Sequence, residues 1–282
     1  MLTPDFLYGF SLAAMKSNRG TRALAMVDYE AVIRVPYSTL PNFEKYHGRL
    51  FRMPPSAEHM VAKNNMLKDD HIYGKSWFET QTAIELDLAA KAADILGFEQ
   101  RSTSQIGRNV SSIKDLALMM QEDVAILHQG RLEACCFMFP SGWAPEDKVG
   151  MSFAELHRPV ADGERLRASA DVITRLMCGE HCYHRYVWGL ANSGMLSAHP
   201  RYNDKKQNIE SINDIWFRYE HQITAPVEMG LTSLFTVDVQ LVPYCSLAEG
   251  HRRRIVESVN SMSPNVLKYK KMAPFKKLLA AR

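Results

Sequence analysis

The chain has 282 residues, 46 % of them hydrophobic, enough for one large domain or two small ones around a sizeable core. Its 34 Lys and Arg stand among 31 Asp and Glu, for a formal net charge of +3, a balance that argues against nucleic acid as a partner. No run approaches the roughly 20 apolar residues of a membrane-spanning helix. The N-terminal segment lacks the leading positive charge of an export signal. Five cysteines, odd in number and with Cys135 and Cys136 adjacent, suit reduced thiols in a cytoplasm.

Residues 1–75, with prolines at 36, 41, 54 and 55, read as loops and short elements. Trp77 to Leu96 has apolar residues at helical spacing and stops at Gly97, which predicts a long helix. Ser111 to Gln121 predicts a shorter one, capped by Ser111 or Ser112. Residues 1–120 are therefore expected to be a mainly helical part packed on the core.

From Asp123 the period falls to two. Val124 to His128 and Leu132 to Phe139, around Gln129-Gly130, predict a β-hairpin that runs into a turn at Pro140. A short helix follows and ends at His157, because Arg158 precedes Pro159 and is pushed out of the helical region. Ala161 to Met177 predicts an amphipathic helix. Three strands complete the core: Tyr183 to Leu190, Ile215 to Thr224 and Leu231 to Val242, the last two joined across Ala-Pro-Val-Glu-Met-Gly. The order ββααβββ over residues 121–250 predicts an α+β fold with a PAS-like antiparallel sheet and flanking helices. Residues 251–282 are basic and weakly amphipathic, and are expected to be a solvated tail.

Three clusters carry chemistry. On the strand from Trp216, alternation puts Trp216, Arg218, Glu220 and Gln222 on one face and Phe217, Tyr219, His221 and Ile223 on the other. That polar row either faces water or lines a pocket in which a carboxylate and an amide orient a polar substrate or a proton path. Cys178, His181, Cys182 and His184 are four metal-ligand types in seven residues. No second pair stands at zinc spacing, and buried thiols with surface histidines explain them more simply. His157, at a rigid helix end, is either a C-terminal cap or an axial iron ligand. Glycine-rich phosphate loops, G-x-S-x-G elbows and H-E-x-x-H motifs are absent from the sequence.

The run Cys136-Phe-Met-Phe-Pro-Ser-Gly-Trp-Ala-Pro-Glu-Asp-Lys-Val-Gly, with Ala154-Glu-Leu-His-Arg-Pro-Val, resembles the C-F-P-S-x-W-x-P-x-x-K-x-G and I-H-x-P-V signature of the haem-dependent oxidative N-demethylases. Phe217-Arg-Tyr-Glu-His-Gln resembles that family's L-R-x-E-R-Q, Leu234-Phe-Thr-Val its L-F-T-I, and Tyr183 to Leu190 its W-R-x-N-W strand. The resemblance implies a haem b in a PAS-like fold, with O₂ activated at a His157-ligated iron. A small methylamine or related substrate would be oxidised with release of formaldehyde. It implies Glu220, Arg218 and Gln222 as catalytic pocket residues and Arg185 and Trp188 beside the haem. External electrons would come from a reductase partner with flavin and an iron–sulfur cluster, since this chain has no such motif. Two departures stand out: Val187 where the family has Asn, and Asp238 where it has Arg. They leave open a different amine, a haem PAS gas sensor or a haem-free scaffold subunit; the oligomeric state is also open.

Overall fold

The computed structural model describes residues 27–68, 77–78, 92, 112–201 and 209–280. Among these, seven strands form one wholly antiparallel sheet: β1 (Glu44–Lys45), β2 (Trp77–Phe78), β3 (Asp123–His128), β4 (Arg131–Cys136), β5 (Tyr183–Ala191), β6 (Trp216–Glu228) and β7 (Thr232–Pro243). Their order across the sheet is β1-β5-β6-β7-β3-β4-β2. The described helices are α1 (Tyr29–Val32), α2 (Ala57–Lys68), α3 (Ile113–Met119), α4 (Phe153–Leu156), α5 (Glu164–Ala168), α6 (Ala170–Met177), α7 (Glu249–Asn260), α8 (Pro264–Tyr269) and α9 (Ala273–Ala280). Helices segregated against an antiparallel sheet make the fold α+β.

The hairpin β3/β4 forms because Gln129 and Gly130 take positive φ, 51° and 74°, the twist that a two-residue loop demands. The β6/β7 hairpin is longer than expected. β6 runs on through Pro226 to Glu228, and the chain reverses at Met229-Gly230-Leu231. Proline is tolerated there because the register shifts between Pro226 and Glu228, where the ladder is already interrupted.

Strand alternation gives the sheet two faces with different coverings. Arg185 and Val187 of β5, Arg218, Glu220, Gln222 and Thr224 of β6, Phe235 and Val237 of β7, and Ala125 of β3 share one face by register. Over it lie α4–α6, through Phe153, Leu166, Ile173 and Met177 packed with Leu127 and Phe235. Trp188, Phe217 and Tyr219 point the other way, into a cluster with Ile255, Val259, Val266 and Phe275 of α7–α9.

Four expectations are corrected. Trp77 does not open a helix: Trp77 and Phe78 pair with Cys136 and Cys135 as an edge strand, which suits two aromatic residues. Ala92 is helical, and the rest of the expected helix falls outside the described residues. The single helix over Ala161 to Met177 is two, broken where Ser169 leaves helical dihedrals at φ −93° and ψ 8°. Residues 1–75 contain a 12-residue helix, α2. The C-terminal stretch is not solvated along its length: α8 starts on Pro264 with Ser263 as its cap, and Ile255, Val259, Met262, Val266, Met272, Phe275 and Leu279 are buried.

Candidate functional site

Arg218 is buried, and every nitrogen of its guanidinium is used. Nε donates to Ser141 Oγ at 2.7 Å, Nη1 to Leu196 O at 2.6 Å and Nη2 to Phe139 O at 2.7 Å. It thus ties the Phe139-Pro140-Ser141 turn and the loop after β5 to the start of β6. Because Ser141 Oγ accepts from Arg218, its own proton is directed onward, and it donates to Glu220 Oε1. Glu220 Oε2 accepts from Gln222 Nε2 at 2.6 Å, and Gln222 Oε1 accepts from Arg185 Nε at 2.7 Å. The half-buried Glu220 carboxylate is therefore held between two arginines, each acting through one neutral intermediary. Burial pushes the Arg185 guanidinium down to about 10, with Glu220 opposing, so it stays charged at neutral pH. Its Cζ lies 5.6 Å from the centre of the Phe43 ring.

His157 caps α4, whose first turn is fixed by a capping box between Ser152 and Glu155. Its ring stacks on Phe153 at 4.0 Å, and its Nδ1 lies 2.8 Å from Phe153 O. A carbonyl only accepts, so Nδ1 carries the hydrogen and Nε2 keeps its lone pair. Burial pushes the imidazole down to about 4, the Phe153 carbonyl opposes, and the Arg185 charge lowers it further. A neutral imidazole whose tautomer and plane are set by a backbone carbonyl is the arrangement that metal-ligating histidines use.

The register sorts the sequence-predicted residues. Arg218, Glu220, Gln222 and Arg185 are brought together, and Phe153 sets His157 on the same side of the sheet. Trp188 is not with them. It is three residues from Arg185 on a strand of period two, so it faces the opposite side, 5.7 Å from Phe217 and 6.2 Å from Tyr37. Trp216 closes the row by lying against Gly194, where a Cβ would stand 2.8 Å from the indole; only glycine admits that approach. The Cys178 to His184 cluster disperses. Cys178 is buried, His184 Nδ1 lies 2.9 Å from His221 Nε2 on the opposite face, and no three His, Cys, Asp or Glu among the described residues are placed to hold a metal.

The two departures also part. Val187 lies directly opposite Glu220 in the β5/β6 pairing. Asp238 is on the other face opposite His221, where it accepts from Gln121 and Gln240. Sequence reading missed the role of Ser141. It stands in the quoted Phe-Pro-Ser turn, but its partner is 77 positions away, and no periodicity reports such a pairing.

Open valences remain on the site face. Among the described residues His157 Nε2 and the two terminal nitrogens of Arg185 have no hydrogen-bond partner, and the buried Thr224 hydroxyl, next in the row after Gln222, has none either. A neutral nitrogen donor, a half-buried cation and an orphaned hydroxyl fit an iron porphyrin with its carboxylates. All five cysteines are free thiols, and among the described residues no helix is long and apolar enough to cross a membrane. No curated protein matches the chain significantly. The family described as haem-dependent oxidative N-demethylase, alpha subunit-like, matches residues 71–280, and the chain belongs to it.

Proposed function

We propose that the chain is the haem-binding oxygenase component of an oxidative N-demethylase, acting on a small secondary or tertiary amine. The neutral, oriented His157 on the same side of the sheet as the Glu220 network carries this reading. His157 Nε2 would ligate the iron of a haem b, and Arg185 would pair with a propionate through its terminal nitrogens. When bound, the haem supplies O₂ activation and methyl oxidation, with formaldehyde as a product.

The protein's own part is binding and proton placement. A small amine is an ammonium at neutral pH, and the Glu220 carboxylate, with Ser141 and Gln222 fixing both oxygens, would take that charge and orient the methyl group. Held at Oε1 by the Ser141 hydroxyl, which Arg218 aligns, the carboxylate can accept the ammonium's proton and return it. Two electrons per turnover would come from a reductase partner carrying flavin and iron–sulfur groups. The five strands from β3 onward, crossing the sheet in the order 2-1-5-4-3 with α4–α6 over one face, support the PAS-like reading. The free thiols accord with a cytoplasmic setting.

The test is the absorption spectrum of protein expressed with haem precursor, oxidised and then reduced under CO, beside His157→Ala. A Soret band in the wild type that is lost in the variant is expected, together with formaldehyde release from a methylamine when a reductase is supplied. No band in either protein would refute the proposal, and an unchanged band in the variant would move the ligand to another residue.

A further inference from the structure

The charge of this molecule is strongly uneven. Residues 251–282 hold nine Lys and Arg against a single acidic residue, Glu257, so with a net charge of only +3 the preceding 250 residues are net acidic. Within that segment two of the three arginines of α7 are occupied: Arg254 Nε donates to Ile33 O at 2.6 Å, and Arg253 pairs with Glu249. The lysines that follow differ. Lys268, Lys270, Lys271, Lys276 and Lys277 fall within ten residues spanning the end of α8 and the middle of α9, with no acidic residue after Glu257. Lys268, Lys271 and Lys277 are exposed, and none of the three meets a carboxylate among the described residues.

This basic segment packs on the other face of the sheet, against β5, the strand that also carries Arg185. Lys270 Nζ stands 5.5 Å from the centre of the Tyr37 ring, which packs edge-on against Trp188 of β5. Met272 reaches β5 itself: a Cβ at Gly189 would lie 3.6 Å from its methyl, and Gly189 is opposite Arg218 in the register. The Tyr269 phenol, raised first by burial, also feels the charges of Tyr37 and Glu220. Tyr269 is still 44 % exposed, an aromatic ring between Lys268 and Lys270 in the chain.

We infer that Lys268, Lys271 and Lys277, around Tyr269, form the docking surface for an acidic electron-transfer protein. Lysines are hydrated point charges that steer encounter without the bidentate grip that arginine gives phosphates, which favours a transient protein partner over nucleic acid. A tyrosine inside a charged rim supplies the desolvated anchor of such an interface. Docking here sets the donor beside β5, the strand that carries Arg185. The inference rests on the oxygenase reading for the partner's role, not for its charge.

The test uses the full chain, as purified, and an acidic plant-type [2Fe–2S] ferredoxin as probe, titrated calorimetrically at rising ionic strength. Binding that weakens with salt, and that falls about tenfold at low salt in Lys268→Gln/Lys271→Gln/Lys277→Gln, is expected, while reduction by dithionite is unchanged. Equal affinity of wild type and variant overturns the proposal. So does tighter binding of phosphatidylserine vesicles or duplex DNA than of the ferredoxin, which would give the surface another occupant. A protein without haem would defeat the oxygenase reading, yet the calorimetric comparison would still decide the surface.

Discussion

The sheet carries a buried polar network on each face, and the two differ in how they end. On the face opposite the candidate site, Lys63 is fully enclosed and donates to Ala117 O, Met120 O and Glu122 O at 2.5, 2.7 and 3.1 Å. His59 Nε2 lies 2.8 Å from Val239 O, both Glu122 oxygens accept from Arg52 N, and Gln121 and Gln240 donate to Asp238. These contacts staple α2 and the loop before it to β3, β7 and the end of α3. On the site face the chain Arg218–Ser141–Glu220–Gln222–Arg185 is equally ordered, yet among the described residues it stops at Arg185, whose two terminal nitrogens find no partner, near a histidine whose Nε2 finds none either. Burial and perturbed ionisation mark both networks. Unfilled valence among the described residues marks the candidate site.

The sharpest break of this comparison is Lys63→Met. Three carbonyls lose their donor inside the core, and stability should fall by about 3 kcal/mol, read as a lower urea midpoint, with the Soret band of the surviving folded protein unaltered. Glu220→Gln tests the other network. It keeps shape but removes the charge and turns one accepting oxygen into a donor, so kcat/KM for an amine should drop about 10²-fold while the stability loss stays at about 1 kcal/mol, well under that of Lys63→Met. A variant that loses as much stability as Lys63→Met would make this second network a staple as well.

Acidity should separate two groups that both lie on the stapled face. Burial and neighbouring His184 push His221 down to about 4, whereas burial raises Glu122 to about 7. As pH falls from about 6.5 toward 4, the unfolded chain gains a proton at position 221 that the folded chain refuses, and stability declines. Glu122 acts in the reverse sense: its folded form keeps a proton that the unfolded form releases above about 4.5, so stability declines as pH rises through 7. Urea midpoints at pH 5, 6 and 7 should show the acid-side loss diminished in His221→Asn and the neutral-side loss diminished in Glu122→Gln. The smallest effect expected is that of Val187→Asn. It adds an amide directly opposite Glu220 and should change KM among amines by less than about tenfold, about 1 kcal/mol, leaving the haem spectrum as it was.

How much of this was legible in the sequence follows from which physics was in play. β5, β6 and β7 alternate with period two, so the row Arg218, Glu220, Gln222 could be read directly, and so could the Gln129-Gly130 hairpin. α2 escaped because the residues it buries are His59, Lys63 and Met66, two of them polar; it is held by hydrogen bonds, and no apolar stripe announces it. In α7–α9 the surface lysines obscured Ile255, Val259, Phe275 and Leu279, whose spacing is that of buried helix faces. The grouping of Trp188 with Arg185 came from the shared motif, although strand alternation already assigns them to opposite faces. The remaining parts of the site, Ser141 and Phe43, arrive from distant loops by tertiary contact, which no local pattern encodes.

Glu220 and His221 are neighbours in the chain yet belong to opposite sides of the sheet, one facing Ser141 and Gln222, the other stacked on Tyr186 at 4.6 Å. A single residue inserted between Trp216 and Glu220, with the preceding register kept, would turn these side chains to the opposite faces, setting imidazole on the polar face and a carboxylate among aromatic rings. β6 is thus a segment whose history can include many substitutions but hardly any change of length, and insertions gathered across relatives should fall in the loops on either side of it.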